Sequence, residues 1–339
     1  MATGPMATVR DVAAMARVSI STVSRALSAP DMVNEVTRQR VIDAARELDY
    51  RPNPAARGLR VGKTNNLGLL IPDLENPFFA SVTKGVQSRA RAAGYAVFVA
   101  DSDEDPAQEI ELIGNLATQV DGIILASPRA PSQDILDATA GKTVVMLNRE
   151  VGDIPSITID NADGVLQAVS HLRALGHRTI AYASGPVHSW SGEERRKGMV
   201  AVAEQFPDLT VVQLGNFRPY FSGGYPAADI AVASSATAVI AYNDLMALGI
   251  IDRLRQRGIS VPDDMSVVGF DDVPVASLVS PALTTIQIPL AGLGRRGVDL
   301  LVERLEGAVD VTTRSEVPVE LIIRNSTSVP AASPAASTP

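Results

Sequence analysis

The chain has 339 residues, 46% hydrophobic and 20% charged, with three histidines and no cysteine. That is ample for packed cores, and it excludes disulfide frameworks, thiolate zinc sites and cysteine nucleophiles. The formal net charge of −8 argues against a nucleic-acid partner only when taken whole, because residues 1–63 carry ten Lys/Arg against six Asp/Glu and leave a strongly acidic remainder.

In this basic head every apolar recurrence has helical spacing. Thr8 can cap a helix that turns Val9, Val12, Ala13 and Ala16 inward, and Arg17-Val-Ser19 makes a short turn. Ser19 caps a second helix over Ser21 to Leu27 with Val23 and Leu27 inward, and Asn34 caps a third through Leu48 with Val41, Ala45 and Leu48 facing the first two. Two short helices joined by a three- to four-residue turn predict a helix-turn-helix domain over residues 7–52. Its second helix presents Ile20, Ser21 and Arg25 outward, placed either to touch base edges or, as an ordinary exposed isoleucine and a phosphate-bound arginine, to do less. A hinge and linker follow at 53–65, in which Pro54-Ala-Ala-Arg-Gly-Leu-Arg60 is too short to hold as a helix in water.

After residue 64, apolar strand-like runs alternate with amphipathic stretches. The strands are predicted at Leu67–Pro72, Tyr95–Ala100, Gly122–Ala126, Thr143–Leu147, Thr179–Ala183, Val211–Leu214, Ala238–Tyr242 and Ser266–Phe270. Repeated β-α-β implies a parallel sheet. The rhythm restarts near 160, where Ile157–Ile159 leads into a helix from about Asn161 to Leu175, so two similar α/β lobes are expected. Near the end, Gly292-Leu-Gly-Arg-Arg-Gly297 has the letters of a dinucleotide fingerprint. Pro289-Leu-Ala291 separates it from the preceding strand, however, and Leu290, Leu293, Leu300, Leu301 and Leu305 read as one long helix, so an NAD-binding enzyme is a weak alternative. The Pro/Ala/Ser tail at 329–339 has nothing to bury and is expected to be disordered.

Several of these segments closely resemble the lactose-repressor (LacI/GalR) family of bacterial transcription regulators. They include Val9-Arg-Asp-Val-Ala-Ala-Met-Ala-Arg-Val-Ser19, Ser21-Thr-Val-Ser-Arg-Ala-Leu27 and Arg46-Glu-Leu-Asp-Tyr-Arg-Pro-Asn-Pro-Ala-Ala-Arg-Gly-Leu59. The likeness continues through Asn76-Pro-Phe-Phe79, Val120-Asp-Gly-Ile-Ile124, Gly176-His-Arg178, Tyr242-Asn-Asp244, Gly269-Phe-Asp-Asp272 and Pro281-Ala-Leu-Thr-Thr-Ile286, and covers roughly residues 7–328. The resemblance implies a small all-α helix-turn-helix head and an α/β core of two Rossmann-like, periplasmic-binding-protein-like lobes at 66–328. One lobe would take 66–161 and 289–317, the other 162–288 and 318–328.

By family position Ile20 and Ser21 open the base-reading helix, with Arg25 able to take a guanine, while Thr22, Asn34 and Arg51 suit phosphate contacts. Ala56 and Leu59 would enter the minor groove, Leu59 as a wedge between base steps; the alternative is a linker leucine packed on the core. The effector cleft carries over to Phe78, Phe79, Asn148, Arg149, Trp190, Arg195, Phe217, Asn243 and Asp271. Aromatic faces with a few directional polar groups suit a sugar or nucleoside. Alternatives stay open for several: Asn243 as a helix cap, Asp271 as a turn residue, Trp190 packed in its own polar loop, and Arg149 bridged to Glu150 or Asp153. A homodimer bound to a pseudo-palindromic double-stranded operator is expected, acting as a repressor under effector control, with no metal or cofactor. No run approaches the roughly 18 apolar residues of a membrane span and Met1–Met6 lacks the layout of an export signal, so a cytoplasmic protein is expected rather than an exported sugar receptor.

Overall fold

The computed structural model describes residues 7–50, 63–308 and 314–331. Residues 53–62 of the expected hinge, with Ala56 and Leu59, as well as Arg51 of the expected head and most of the expected disordered tail, lie outside the described residues. The chain forms two compact units that divide after Thr64.

The first unit is all helical: α1 (Val9–Ala16), α2 (Ile20–Ser28) and α3 (Glu35–Glu47). Thr8 starts α1, but the cap is made from inside the helix: Asp11 Oδ2 accepts from the Thr8 amide and hydroxyl at 2.7 and 2.8 Å. Arg17 ends α1 in the left-handed region at φ 52°, which turns the chain within three residues into α2. Ser19 caps α2 by accepting from the Thr22 amide, and Asn34 caps α3 by accepting from Thr37. Val12, Ala16, Val23, Ala26, Val41 and Ala44 close the small core between the three helices.

The second unit is built on two sheets. The first contains β1 (Asn66–Ile71), β2 (Ala96–Asp101), β3 (Gly122–Ala126), β4 (Thr143–Leu147), β5 (Ser156–Ile159) and β11 (Arg314–Val317) in the order β11-β5-β4-β3-β1-β2, all parallel. The second contains β6 (Thr179–Ser184), β7 (Thr210–Asn216), β8 (Ala238–Ala241), β9 (Ser266–Asp271), β10 (Thr284–Gln287) and β12 (Glu320–Ile322) in the order β12-β10-β9-β8-β6-β7, with only β12 antiparallel. β3 is buried at all five positions and β1 at five of six, because helices cover both faces of a parallel sheet and such strands read as unbroken apolar runs.

Three helices of the first lobe are α4 (Pro77–Ala92), α5 (Pro106–Ala117) and α6 (Ser132–Ala138); the second has α7 (Asn161–Leu175), α8 (Trp190–Gln205), α9 (Gly224–Ala233) and α10 (Asp244–Gln256). The chain returns to the first lobe through α11 (Leu290–Leu305), which lies against α4 and strands β3 and β4. The fingerprint glycines sit inside α11 and serve packing. A Cβ on Gly294 would overlap the Val82 carbonyl oxygen, and one on Gly297 would come within 2.9 Å of Leu147 Cδ2. Phosphate binding by these glycines has no place there, because the connection from β10 is made by Ile288 and Pro289 and all three glycines lie past it, inside the helix.

Candidate functional site

In both sheets the strand order reverses direction at the first strand of the lobe, between β1 and β3 and between β6 and β8. Ligands of open α/β sheets bind outside the carboxyl ends of the strands at such points. A cavity between the lobes meets both. It is lined by Asn76, Phe78 and Phe79 after β1, Ser127 and Arg129 after β3, Asn148 after β4, Ser191 after β6, Tyr242 and Asn243 after β8, Asp271 ending β9, and Pro219. Arg195, from the second turn of α8, reaches into the same space. The free space among these residues is small, about 300 Å³, part of it open to solvent.

Each side chain is held by its neighbours. Asn76 caps α4 by accepting from the Phe78 amide at 3.0 Å, which fixes the buried Phe78 and Phe79 edge to face with centroids 4.9 Å apart. Arg195 is 2% exposed; its Nε donates to Asn161 Oδ1 at 2.8 Å, another nitrogen donates to the Tyr242 carbonyl, and the guanidinium lies over the Phe270 ring at 3.5 Å. Its remaining nitrogen stands 3.9 Å from Asp271 Oδ1, too far for a direct hydrogen bond. Burial pushes the Asp271 carboxyl well above the usual carboxylate range; Arg195 pulls it back and the buried Asp244 pushes it further up. Arg129 is neutralised in place by a two-pronged pair with Glu104 at 2.6 and 2.9 Å, and its amide donates to Glu109. Asn148 donates to Ser127 Oγ at 2.9 Å, whereas its buried Oδ1 has no hydrogen-bond partner.

Three lining residues other than glycine, Ser127 (φ 50°), Asn148 (φ 57°) and Asp271 (φ 120°), occupy the left-handed half of backbone space. Asparagine adopts this region readily, whereas at Ser127 such a conformation costs on the order of 1–3 kcal/mol and persists where the surroundings impose it, most often at functional sites.

Of the nine expected cleft residues, Phe78, Phe79, Asn148, Arg195, Asn243 and Asp271 come together at this cavity, and three do not line it. Arg149 meets neither an open cleft nor Glu150 or Asp153; it turns back to donate to the Pro128 carbonyl at 2.7 Å and Ser132 Oγ at 3.1 Å. Trp190 is not in a loop but is the half-buried first residue of α8, capped by Ser189. Phe217 lines an adjoining cavity. Asn243 does serve as a helix cap, accepting from the Met246 amide, while its amide nitrogen donates to the Pro219 carbonyl. Asn76, Ser127, Arg129, Ser191, Pro219 and Tyr242 were missed, although all but Ser191, which lies inside α8, follow a strand by five residues or fewer, which is the signal that would have found them.

In the head, Ile20 (44% exposed), Ser21 and Arg25 lie exposed on α2. The Ser21 and Thr22 hydroxyls each share a 2.8 Å hydrogen bond with Ser19 Oγ, and Asn34 stands at the amino end of α3, where amides point outward.

A helix-turn-helix head in one chain with a two-lobed periplasmic-binding-protein-like core defines a DNA-binding transcription regulator. Residues 8–53 match the bacterial regulatory proteins of the lacI family, and residues 169–327 match the periplasmic binding protein-like domain. The chain belongs to the lacI family of bacterial regulatory proteins. It is 32% identical to the HTH-type transcriptional repressor CytR of Escherichia coli (strain K12) over 95% of this chain and 96% of that one. Among solved structures it is similar to the lac repressor dimer bound to operator and the anti-inducer ONPF (29% identity, TM-score 0.83, covering 95% and 99% of the two chains). It is also similar to a LacI family regulator from Enterococcus faecium with bound ribose (28% identity, TM-score 0.70, covering 78% and 99%). These relatives are regulators, not enzymes, and among the described residues no helix is long and apolar enough to cross a membrane.

Proposed function

We propose that this regulator binds a pseudo-palindromic operator as a cytoplasmic homodimer, as a repressor, and that the interlobe cavity takes a neutral, hydroxyl-rich effector of the sugar or nucleoside class. The observation that carries the effector class is the pairing of unsatisfied groups around a small space. The buried Asn148 Oδ1 lacks a donor, and Arg195 and Asp271 stand 3.9 Å apart with a free donor and free acceptors. A hydroxyl that accepts from Arg195 while donating to Asp271 satisfies both, and a second one satisfies Asn148. Phe78 and Phe79 offer an apolar wall for a ring. The charges argue against a phosphorylated effector. Arg129 is spent on Glu104 and Arg149 is turned away, which leaves Arg195 already facing a carboxylate.

In the head, exposed Ile20, Ser21 and Arg25 would read base edges, with Thr22, Asn34 and Arg51 on phosphates and Ala56 and Leu59 in the minor groove. The resemblance supports these roles. Effector binding would bias the angle between the lobes and thereby the DNA-competent population, and the coupling is reciprocal.

The test is operator binding by the purified protein, using its own promoter region, with pentoses, hexoses, nucleosides and their phosphates added singly. One neutral compound that shifts specific binding, with its phosphate inactive, is the expected result. An active phosphate with an inactive parent compound overturns the effector reading, and failure to retain DNA at low salt overturns the regulator reading.

A further inference from the structure

The turn that follows β9 is held in an unfavourable shape. Asp271 stands at φ 120° and Asp272 at φ 55°, and only the second lies in the left-handed well, centred at about 57°, that aspartate visits readily. Asp271 keeps its conformation because its surroundings impose it. Arg324, from the segment after β12, donates to Asp272 Oδ1 at 2.6 Å, and Gln287 of β10 donates to Asp272 Oδ2 at 2.8 Å. The third restraint is Asp244, to which the reading above gives no part in binding.

Asp244 is the first residue of α10, next to the cavity residue Asn243, yet it does not line the cavity and is fully buried. Its Oδ2 accepts from the Val273 amide at 2.8 Å and its Oδ1 from the Thr285 hydroxyl at 2.5 Å. Gly269 in β9 leaves room for this reach, since a Cβ there would stand 2.2 Å from Asp244 Oδ1. One carboxylate therefore joins the amino end of α10, the turn after β9 and strand β10. It is retained at a cost. Burial pushes it up to about 7 and Asp272 adds to the push, while the Thr285 hydroxyl, the Val273 amide and Arg324 pull the other way. Asp271, buried and itself facing Arg195, feels the Asp244 charge in turn. A carboxyl whose pKa rises on folding opposes folding when ionised, so stability alone does not account for an aspartate at this position.

We propose that Asp244 is a positioning residue of the effector site: by holding the Val273 amide it fixes the turn and so sets the Asp271 carboxyl opposite Arg195. The proposal rests on the reading of Asp271 as a ligand of the effector. The Val273 N–H is a fixed donor, so the position requires an acceptor oxygen at that point, and the negative charge is dispensable. Asparagine supplies the oxygen and turns its amide group to Thr285, whose hydroxyl accepts as well as donates. Alanine leaves the Val273 amide buried without an acceptor, and the turn relaxes to find one.

The test has a ligand-free arm and a binding arm, both on the full chain. In carbon- and nitrogen-resolved magnetic resonance spectra, Asp244→Ala should move the Asp271 Cα and Cβ signals, which report its backbone angles, and shift the Val273 amide proton upfield. Asp244→Asn should leave the Asp271 signals near those of the parent. In calorimetric titrations with D-ribose, D-glucose and adenosine, a compound that binds the parent should bind Asp244→Ala about tenfold or more weakly and Asp244→Asn within about threefold of the parent. The asparagine variant should also be no less stable to urea than the parent at about pH 8, because it removes a buried charge. If Asp244→Ala fails to fold, Thr285→Val, which frees Asp244 Oδ1, should move the same signals by less, and Thr285→Ser should restore them. Asp271 signals that stay in place in the alanine variant, or in Thr285→Val where it stands in, overturn the proposal, and so does a compound that binds parent and alanine variant equally. Failure of all three compounds to bind the parent bears on the effector reading and not on the turn, which the signals decide.

Discussion

Arg195→Ala tests how the cleft is held together and what it does. The guanidinium is buried, donates to Asn161 Oδ1 and to the Tyr242 carbonyl, stacks on Phe270, and is the cation facing Asp271. Truncation leaves two buried acceptors without a donor and a buried carboxyl without a counter-charge. Removing one partner of a buried pair costs about 3–5 kcal/mol. Asp271 can offset part of this by taking up a proton, since burial already pushes its carboxyl upward, so a loss of about 3 kcal/mol near neutral pH is expected. The sign of the pH dependence follows from the same shift. A carboxyl whose folded-state pKa stands above its unfolded value stabilises fully below the unfolded value and loses that contribution as pH rises through the folded one. Arg195 pulls the folded value of Asp271 down, so its removal extends the losing window to higher pH. The stability gap between parent and variant should therefore widen as pH rises through the folded-state titration of that carboxyl, by at most about 1.4 kcal/mol per unit. Urea denaturation followed by far-UV circular dichroism across that range reads both quantities. A gap under about 1 kcal/mol, or one that shrinks with pH, refutes the account of the pair. Arg195→Ala/Asp271→Asn should recover part of the loss. In the operator assay the single variant should bind DNA as the parent does and no longer respond to effector; a retained response means the effector sits elsewhere.

Arg25→Ala should cost about 1–3 kcal/mol in binding to the specific operator and much less on random DNA, measured by fluorescence anisotropy at one fixed salt concentration. Leu59→Ala should weaken specific binding far more than non-specific binding, and equal losses on both would remove the minor-groove role. Gly294→Ala introduces a methyl group onto the Val82 carbonyl where α4 and α11 meet, and should destabilise the core by about 1–3 kcal/mol in chemical denaturation. An unchanged midpoint would show that the helices are not so close.

Local chemistry was readable from the chain alone wherever it rests on neighbours in sequence. Ser19 and Asn34 cap their helices as expected because a cap reaches only two or three residues. The strands fall close to the expected runs because a parallel sheet covered on both faces requires continuous apolar residues. Asn161–Leu175 begins and ends at the residues expected, between the Asp160 side chain and Gly176 in the left-handed region. The motifs spread over residues 7–328 were enough to place the chain among its relatives.

What the chain alone left undecided is which residues at the strand ends face the cleft. Asn148 and Arg149 are adjacent at the end of β4, yet Asn148, at φ 57°, reaches the cavity while Arg149 is drawn back to the Pro128 carbonyl. Trp190 was expected at the cleft or packed in its own polar loop, but Ser189 caps a helix at that point, and Ser191 and Arg195 line the cavity instead. Arg129 carries no sequence sign that Glu104 neutralises it, and Asp73 none that one of its oxygens is buried without a donor. The residues themselves determined the helical head, the two-lobed parallel core and the family. Only the tertiary structure decided the site, because its walls come from strand ends far apart in the chain, and partner and solvent access there are set by how the two lobes meet.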